Sequence, residues 1–182
     1  MDDNRELNEF QKSFRDKELE DSAKLKSQDD IEEEEDDSEG AQKGRYMTFC
    51  CDGDYYGIAI TYVNEIIGIQ QVTQLPETPE YIKGLINLRG RIVPIIDVRA
   101  RFGKPEIAYD DRTCVIVINV EDDTVGLIVD TIADVVTIDD SDVLDPPSAS
   151  HDNGRHYIFG IGKCGDAVKL LIDPARFIYD ET

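Results

Sequence analysis

The chain has 182 residues, with 40 acidic side chains against 19 basic ones and a formal net charge of −21. That balance argues against nucleic acid, since gripping a polyanion takes clustered lysine and arginine to displace its counterions, and an anionic membrane surface is disfavoured likewise. No apolar run approaches the roughly 18 residues of a membrane span, and the charged N-terminus lacks a signal peptide's apolar core, so a cytoplasmic protein without direct membrane insertion is expected.

Residues 1–44 carry 17 Asp and Glu against 7 Lys and Arg, and include the run "DDIEEEEDDSEG". A block of like charge repels itself and cannot bury enough apolar surface to offset chain entropy, which predicts a disordered acidic tail. Leu7, Phe10 and Phe14 fall at i, i+3 and i+7. Their stripe stops there, so the spacing gives transient helicity or a weak docking segment rather than a stable helix. Folded structure is expected from about Arg45.

From that point the pattern becomes that of short strands. "RYMTFCCDGDYYGIAI" holds two apolar runs joined by Asp52-Gly53-Asp54, and "TCVIVINVEDDTVGLIVD" repeats the arrangement around Glu121-Asp122-Asp123. Both read as β-hairpins. The segments "YGIAITYVNEIIGI" (56–69) and "VGLIVDTIADVVTI" (125–138) match position by position. Gly57 aligns with Gly126 and Glu65 with Asp134; downstream, Gly84 aligns with Gly160 and Asp97 with Asp173. Each copy ends shortly after in an Arg-Phe pair, Arg101-Phe102 and Arg176-Phe177. Two copies some 70 residues apart are too widely spaced for a solenoid and suit two small barrels that hide their strand edges. The glycines near strand starts predict bulges or close backbone approach, and Pro94 predicts an edge strand or bulge. Asp97 is placed to cap a short turn containing the Arg-Phe pair.

Chemistry-bearing motifs are sparse. Cys50, Cys51, Cys114 and Cys164 show no C-x-x-C spacing and read as structural thiols. His151 and His156 flank a polar loop, too isolated for a metal site, and "DDSDVLD" (139–145) lacks the glycine and terminal glutamate of an EF-hand loop. No nucleophile elbow, phosphate loop or zinc-protease motif is present. No catalytic residue, metal or cofactor is therefore expected. What stands out is Arg89, Arg91, Arg99 and Arg101, gathered within 13 residues around Gly90 and Pro94. Arginine forks suit carboxylates and interfaces. Glu65 is the expected partner of Arg89, and alternation sends Leu88 and Ile92 to a different face from Arg89 and Arg91.

The stretch "EYIKGLINLRGRIVPIIDVRARFG", with upstream "YYGIAITYVNEIIGI" and downstream "VGLIVDTIADVV", closely resembles the CheW family of bacterial chemotaxis coupling proteins. Its G-x-x-N-x-R-G-x-x-x-P-x-x-D-x-R pattern carries most of the likeness. The resemblance spans about residues 45–180 and implies an all-β fold of two five-stranded SH3-like β-barrels packed side by side, with short helices. The barrels would be intertwined by chain crossing, the first roughly 55–105 and the second roughly 113–175. It further implies a non-enzymatic adaptor joining the cytoplasmic tip of chemoreceptors (methyl-accepting chemotaxis proteins) to the regulatory domain of the histidine kinase CheA. On the family's pattern Val63, Glu65, Gly84, Asn87, Arg89 and Ile92 would bind receptor. Ile66, Ile67, Ile69 and Val72 would face the kinase, about half of them doubling as core, and the arginines beyond Arg89 would meet acidic partner residues. The alternatives are an adaptor of a non-motility chemosensory pathway and a small-barrel enzyme. A fusion adaptor would carry a receiver domain after the barrels, and a kinase fragment would bring kinase motifs, neither of which the sequence contains.

Overall fold

The computed structural model describes residues 43–147 and 155–180. The acidic run, the Leu7–Phe10–Phe14 spacing and His151 lie outside them. Two β-sheets make up the described residues. In one, β3 (Val63–Gly68), β4 (Ile82–Leu88), β5 (Arg91–Asp97), β6 (Cys114–Val120) and β7 (Asp123–Val129) run in the order β3-β6-β7-β5-β4. In the other, β1 (Arg45–Cys51), β2 (Asp54–Ala59), β8 (Thr131–Thr137), β9 (Val143–Leu144), β10 (Ile158–Cys164) and β11 (Ala167–Ile172) run in the order β8-β1-β2-β11-β10-β9. These are two SH3-like barrels, the second with a two-residue sixth strand.

The barrels are intertwined by chain crossing, so neither is confined to the rough range 55–105 or 113–175. The β1–β2 hairpin joins the second sheet, where β2 lies parallel to β11. The β6–β7 hairpin joins the first, where β7 lies parallel to β5. Each module thus borrows its central hairpin from the sequence next to the other copy. The repeat survives in this exchange: Gly57 in β2 sits beside Leu171 of β11, and Gly126 in β7 beside Ile95 of β5.

Local chemistry explains most boundaries. The β1–β2 turn places Asp52 at φ 55° and Gly53 at φ 79°, the left-handed pair that a two-residue hairpin turn needs. Both repeat-mate glycines mark bulges, with register shifts between Ile82 and Gly84 and between Ile158 and Gly160. Asp97 ends β5 and caps the one-turn helix α1 (Val98–Arg101), its Oδ1 accepting from the amides of Arg99 at 2.8 Å and Ala100 at 3.3 Å. Asp173 does the same for α2 (Pro174–Tyr179), accepting from Ala175 and Arg176. Pro94 departs from expectation. It lies on an interior strand, but the ladder between β5 and β7 covers only Ile95–Asp97 and stops one residue short of it.

Three apolar clusters hold the barrels together. Ile86, Val93, Ile95, Val115, Val117 and Ile128 fill the first barrel. Tyr46, Ile138 and Leu171 fill the second. The largest cluster draws Phe49, Tyr56 and Ile58 from the second sheet and Ile116, Ile118 and Leu127 from the first. Successive residues of β6 therefore feed different cores: Val115 and Val117 point into the barrel, Ile116 and Ile118 across to its neighbour. A strand with both faces buried carries no polar alternation, which is why "CVIVINV" is nearly all aliphatic. Each such side chain contributes about 1.5–3 kcal/mol by leaving water.

Candidate partner-docking surface

The first barrel has a seam where β3 and β4 are not paired to each other, since they stand at opposite ends of the strand order. Side chains from both margins meet there. Asn64, Glu65, Leu88, Arg89, Arg91, Val93 and Thr124 line an open depression. The expected pair forms: Arg89 Nη2 donates to Glu65 Oε1. Arg89 is held for this by its turn, with φ 53° at Arg89 and 85° at Gly90. Asn87 Oδ1 closes the same turn by accepting from the Gly90 amide at 2.8 Å. Arg91 donates to Thr124 Oγ1 at 3.1 Å, and that hydroxyl donates to Asn119.

Around this polar rim lie the aliphatic candidates, and they divide. Ile66 and Ile69 are 41% and 37% exposed, whereas Ile67 and Val72 pack on the first barrel's core. Ile92 takes the opposite face of β5 from Arg91 and is 62% exposed, while Leu88 packs inward. Val63 opens β3 and packs on the large inter-barrel cluster. Gly84 is buried at φ 140°, so its contribution is to backbone shape. Glu65 and Arg89 are thus brought together, Asn87 closes the turn that carries Arg89, and Ile66, Ile69 and Ile92 are exposed apolar side chains on the same barrel.

Two arginines run against expectation. Arg99 and Arg101 are both buried and bond within the chain. Arg99 Nε donates to Asp130 Oδ1 at 2.8 Å and Nη2 to Asp130 Oδ2 at 2.7 Å, while Nη1 reaches the Pro105 carbonyl at 2.9 Å and Asp52 at 3.3 Å. Arg101 turns toward α2 and donates to the carbonyls of Phe177 and Asp180. The exposed tip of the cluster is Arg89 and Arg91 alone. The repeated Arg-Phe marks Arg101 but not Arg99, and its other copy, Arg176, is exposed. Burial of Arg99 depends on Asp130, and that of Arg101 on Phe177 and Asp180, which alternation within one strand cannot reveal.

The Arg99 site also shifts titration. Burial by itself raises the Asp130 carboxyl, but the Arg99 fork, the Asp52 amide and the guanidinium's charge together hold it below the ordinary carboxylate value. Beside it, burial pushes the Cys51 thiol up to about 12, against the lowering effect of its hydrogen bond at Asp130, so this sulfur stays protonated. A carboxyl depressed on folding adds stability above its unfolded pKa and loses it as pH falls through the folded one. Thermal midpoints should accordingly hold steady down to about pH 4 and decline below it. Asp130→Asn should show a shallower acid decline in the same titration.

Comparison with known proteins gives this geometry a family. The family model for the CheW-like domain matches residues 45–182. The chain belongs to the CheW-like family. It is 37% identical over 136 residues to the chemotaxis protein CheW of Klebsiella aerogenes, covering 75% of this chain and 82% of that one. It is 34% identical over 131 residues to the chemotaxis protein CheW of Treponema pallidum, covering 70% and 77%. Among solved structures, the scaffolding protein TtCheW of Thermoanaerobacter tengcongensis superposes with a TM-score of 0.69 at 31% identity, covering 74% of this chain and 91% of that one. Family membership makes the chain a chemotaxis scaffold that works by binding other proteins, and not an enzyme. Among the described residues, no helix is long and apolar enough to cross a membrane.

Proposed function

We propose that this chain is a cytoplasmic adaptor that couples chemoreceptors to the histidine kinase CheA, with residues 45–180 as the docking module. The observation that supports this best is the Glu65–Arg89 pair, standing at an open barrel seam with Asn87. Receptor docking uses Val63, Glu65, Gly84, Asn87, Arg89 and Ile92, with Gly84 and Asn87 shaping the backbone that presents the others. The kinase side uses Ile66 and Ile69 for contact, with Ile67 and Val72 supporting them from the core. An adaptor of this kind holds receptor and kinase near each other and so raises the effective concentration of each for the other. It passes a signal only where receptor states differ in free energy of interaction with it or with the kinase. The partners it meets at the membrane are receptor tips on the cytoplasmic side.

Arg89→Ala tests this reading. The pair is largely exposed, so its loss should change folding stability by only about 0.2–1 kcal/mol. Receptor-fragment affinity should fall about tenfold or more, as for removal of an arginine hot spot, and receptor-dependent kinase activity should fall with it. Normal affinity and normal kinase coupling in a folded Arg89→Ala protein would contradict the assignment.

A further inference from the structure

The repeat mates meet at one place, between α1 and α2. Phe102 and Phe177 lie 5.4 Å apart, ring centre to ring centre. Tyr81 and Tyr157 each stand three residues before a repeat-mate glycine, and each carbonyl accepts from a capping aspartate: the Asp97 amide on Tyr81 and the Asp173 amide on Tyr157, both at 2.8 Å. The two repeat copies thus face each other across this junction, and only one of their two arginines sits inside it. Arg101 takes the position, its guanidinium 4.1 Å from the Tyr81 ring centre and 4.4 Å from that of Tyr157. Arg176, its mate, stays outside, with its side chain 57% exposed beside Asp173.

The seat is imperfect. Arg101 is 4% exposed, and its hydrogen bonds go to the carbonyls of Phe177 and Asp180 only. Among the described residues no carboxylate pairs with it, and neither its Nη1 nor the Tyr157 hydroxyl, both buried, has a hydrogen-bond partner. Buried donors left in this condition weaken the state that holds them. Two residues earlier on the same helix, Arg99 has the opposite character, with a two-pronged grip on Asp130 and further acceptors at Pro105 and Asp52. Helix α1 thus carries one arginine in ionic hydrogen bonds to Asp130, the crossover residue between β7 and β8, and one held between aromatic faces with an unpaired donor.

We propose that this junction is a latch. Arg101 withdraws from between Tyr81 and Tyr157, α2 lifts away, and the Arg99–Asp130 grip stays as the pivot about which the barrels change angle. The guanidinium's two carbonyl bonds and its two aromatic faces close the latch, and opening relieves the unpaired Arg101 Nη1 and Tyr157 hydroxyl. Such an opening is sub-global: it withdraws Phe177 from the inter-barrel cluster and leaves the clusters inside each barrel folded. Because both barrels border the junction, a partner favouring one barrel angle would shift this equilibrium whichever face it binds.

Hydrogen exchange on the full chain, in rising but sub-denaturing urea, tests the proposal. The amides to follow are Asp173 (bonded to Tyr157 O), Phe177 (to Asp173 O) and Asp180 (to Arg176 O), against Ile116 and Ile118 in the first barrel. In the wild type the first group should exchange faster and with weaker urea dependence than the second. Arg101→Met should speed the first group by at least about tenfold and leave Ile116 and Ile118 within about twofold, and Arg176→Met should change neither. Equal acceleration of all five amides by Arg101→Met, or no acceleration, would overturn the latch. If that variant does not fold, the wild-type urea series decides: matching urea dependence in the two groups means one cooperative unit and no latch.

Discussion

Asp130→Ala should lower the unfolding free energy by about 3 kcal/mol, the low end of the loss for a buried ion pair, because Asp130 itself is only part-buried. Arg99 cannot follow its lost partner into solvent. Its side chain is 10% exposed, fixed at α1 between the first barrel and the β1–β2 turn. With Asp130 gone it keeps the Pro105 carbonyl and the half-exposed Asp52 carboxylate at 3.3 Å, which leaves Nε and Nη2 without acceptors. The Asp52 amide, 2.9 Å from Asp130 Oδ2, loses its acceptor too. Asp130→Asn retains an acceptor and should lose less. Urea denaturation at neutral pH measures both variants. A loss under about 1 kcal/mol for Asp130→Ala would place this pair with ordinary surface bridges and remove the pivot from the junction.

Gly84→Ala should be as damaging, for a reason of backbone rather than charge. A Cβ at this position would stand 2.0 Å from the Thr73 carbonyl oxygen and 2.7 Å from its carbon, with φ at 140°. Thr73 cannot retreat freely, because its amide and carbonyl exchange 2.8 Å hydrogen bonds with Leu85. Relief therefore means breaking that bridge and displacing the 70–75 segment, Val72 included, from the barrel's margin. Strain and overpacking of this kind sum to about 3 kcal/mol or more. Gly160→Ala is the internal control. The repeat mate would meet chiefly the Val143 Cγ1 methyl at 2.6 Å, a side chain that can rotate, and should cost nearer 1 kcal/mol. Equal effects at the two glycines would mean that the Thr73 bridge does not constrain Gly84.

Much of this architecture was legible because local chemistry sets it. Asp52-Gly53 and Glu121-Asp122 announce their hairpins, since short turns need residues that tolerate left-handed backbone. The alignment of Gly57 with Gly126 and of Asp97 with Asp173 identified two like modules, and their bulges and helix caps follow it. What sequence could not disclose was pairing at a distance. The β1–β2 and β6–β7 hairpins read the same whichever barrel they enter, and only the parallel contacts with β11 and β5 decide. The arginines show the same limit. Arg89 could be matched to Glu65 because both lie in the first repeat copy, 24 residues apart. Arg99 and Arg101 were read as surface because their acceptors, Asp130 and the α2 carbonyls, come from 31 and 76 or more residues away. Ile67 and Val72 look like Ile66 and Ile69 in sequence; strand register and the turn of the chain after β3 separate core from surface.

Co-sedimentation with membranes or nanodiscs bearing chemoreceptor signalling tips, in the presence of purified CheA, tests the adaptor reading most directly. The expected result is that this chain pellets with receptor, raises the amount of CheA that pellets, and loses both effects in Arg89→Ala. Wild-type chain left in the supernatant with receptor and kinase present, or CheA recruitment that is the same with and without it, would contradict an adaptor function.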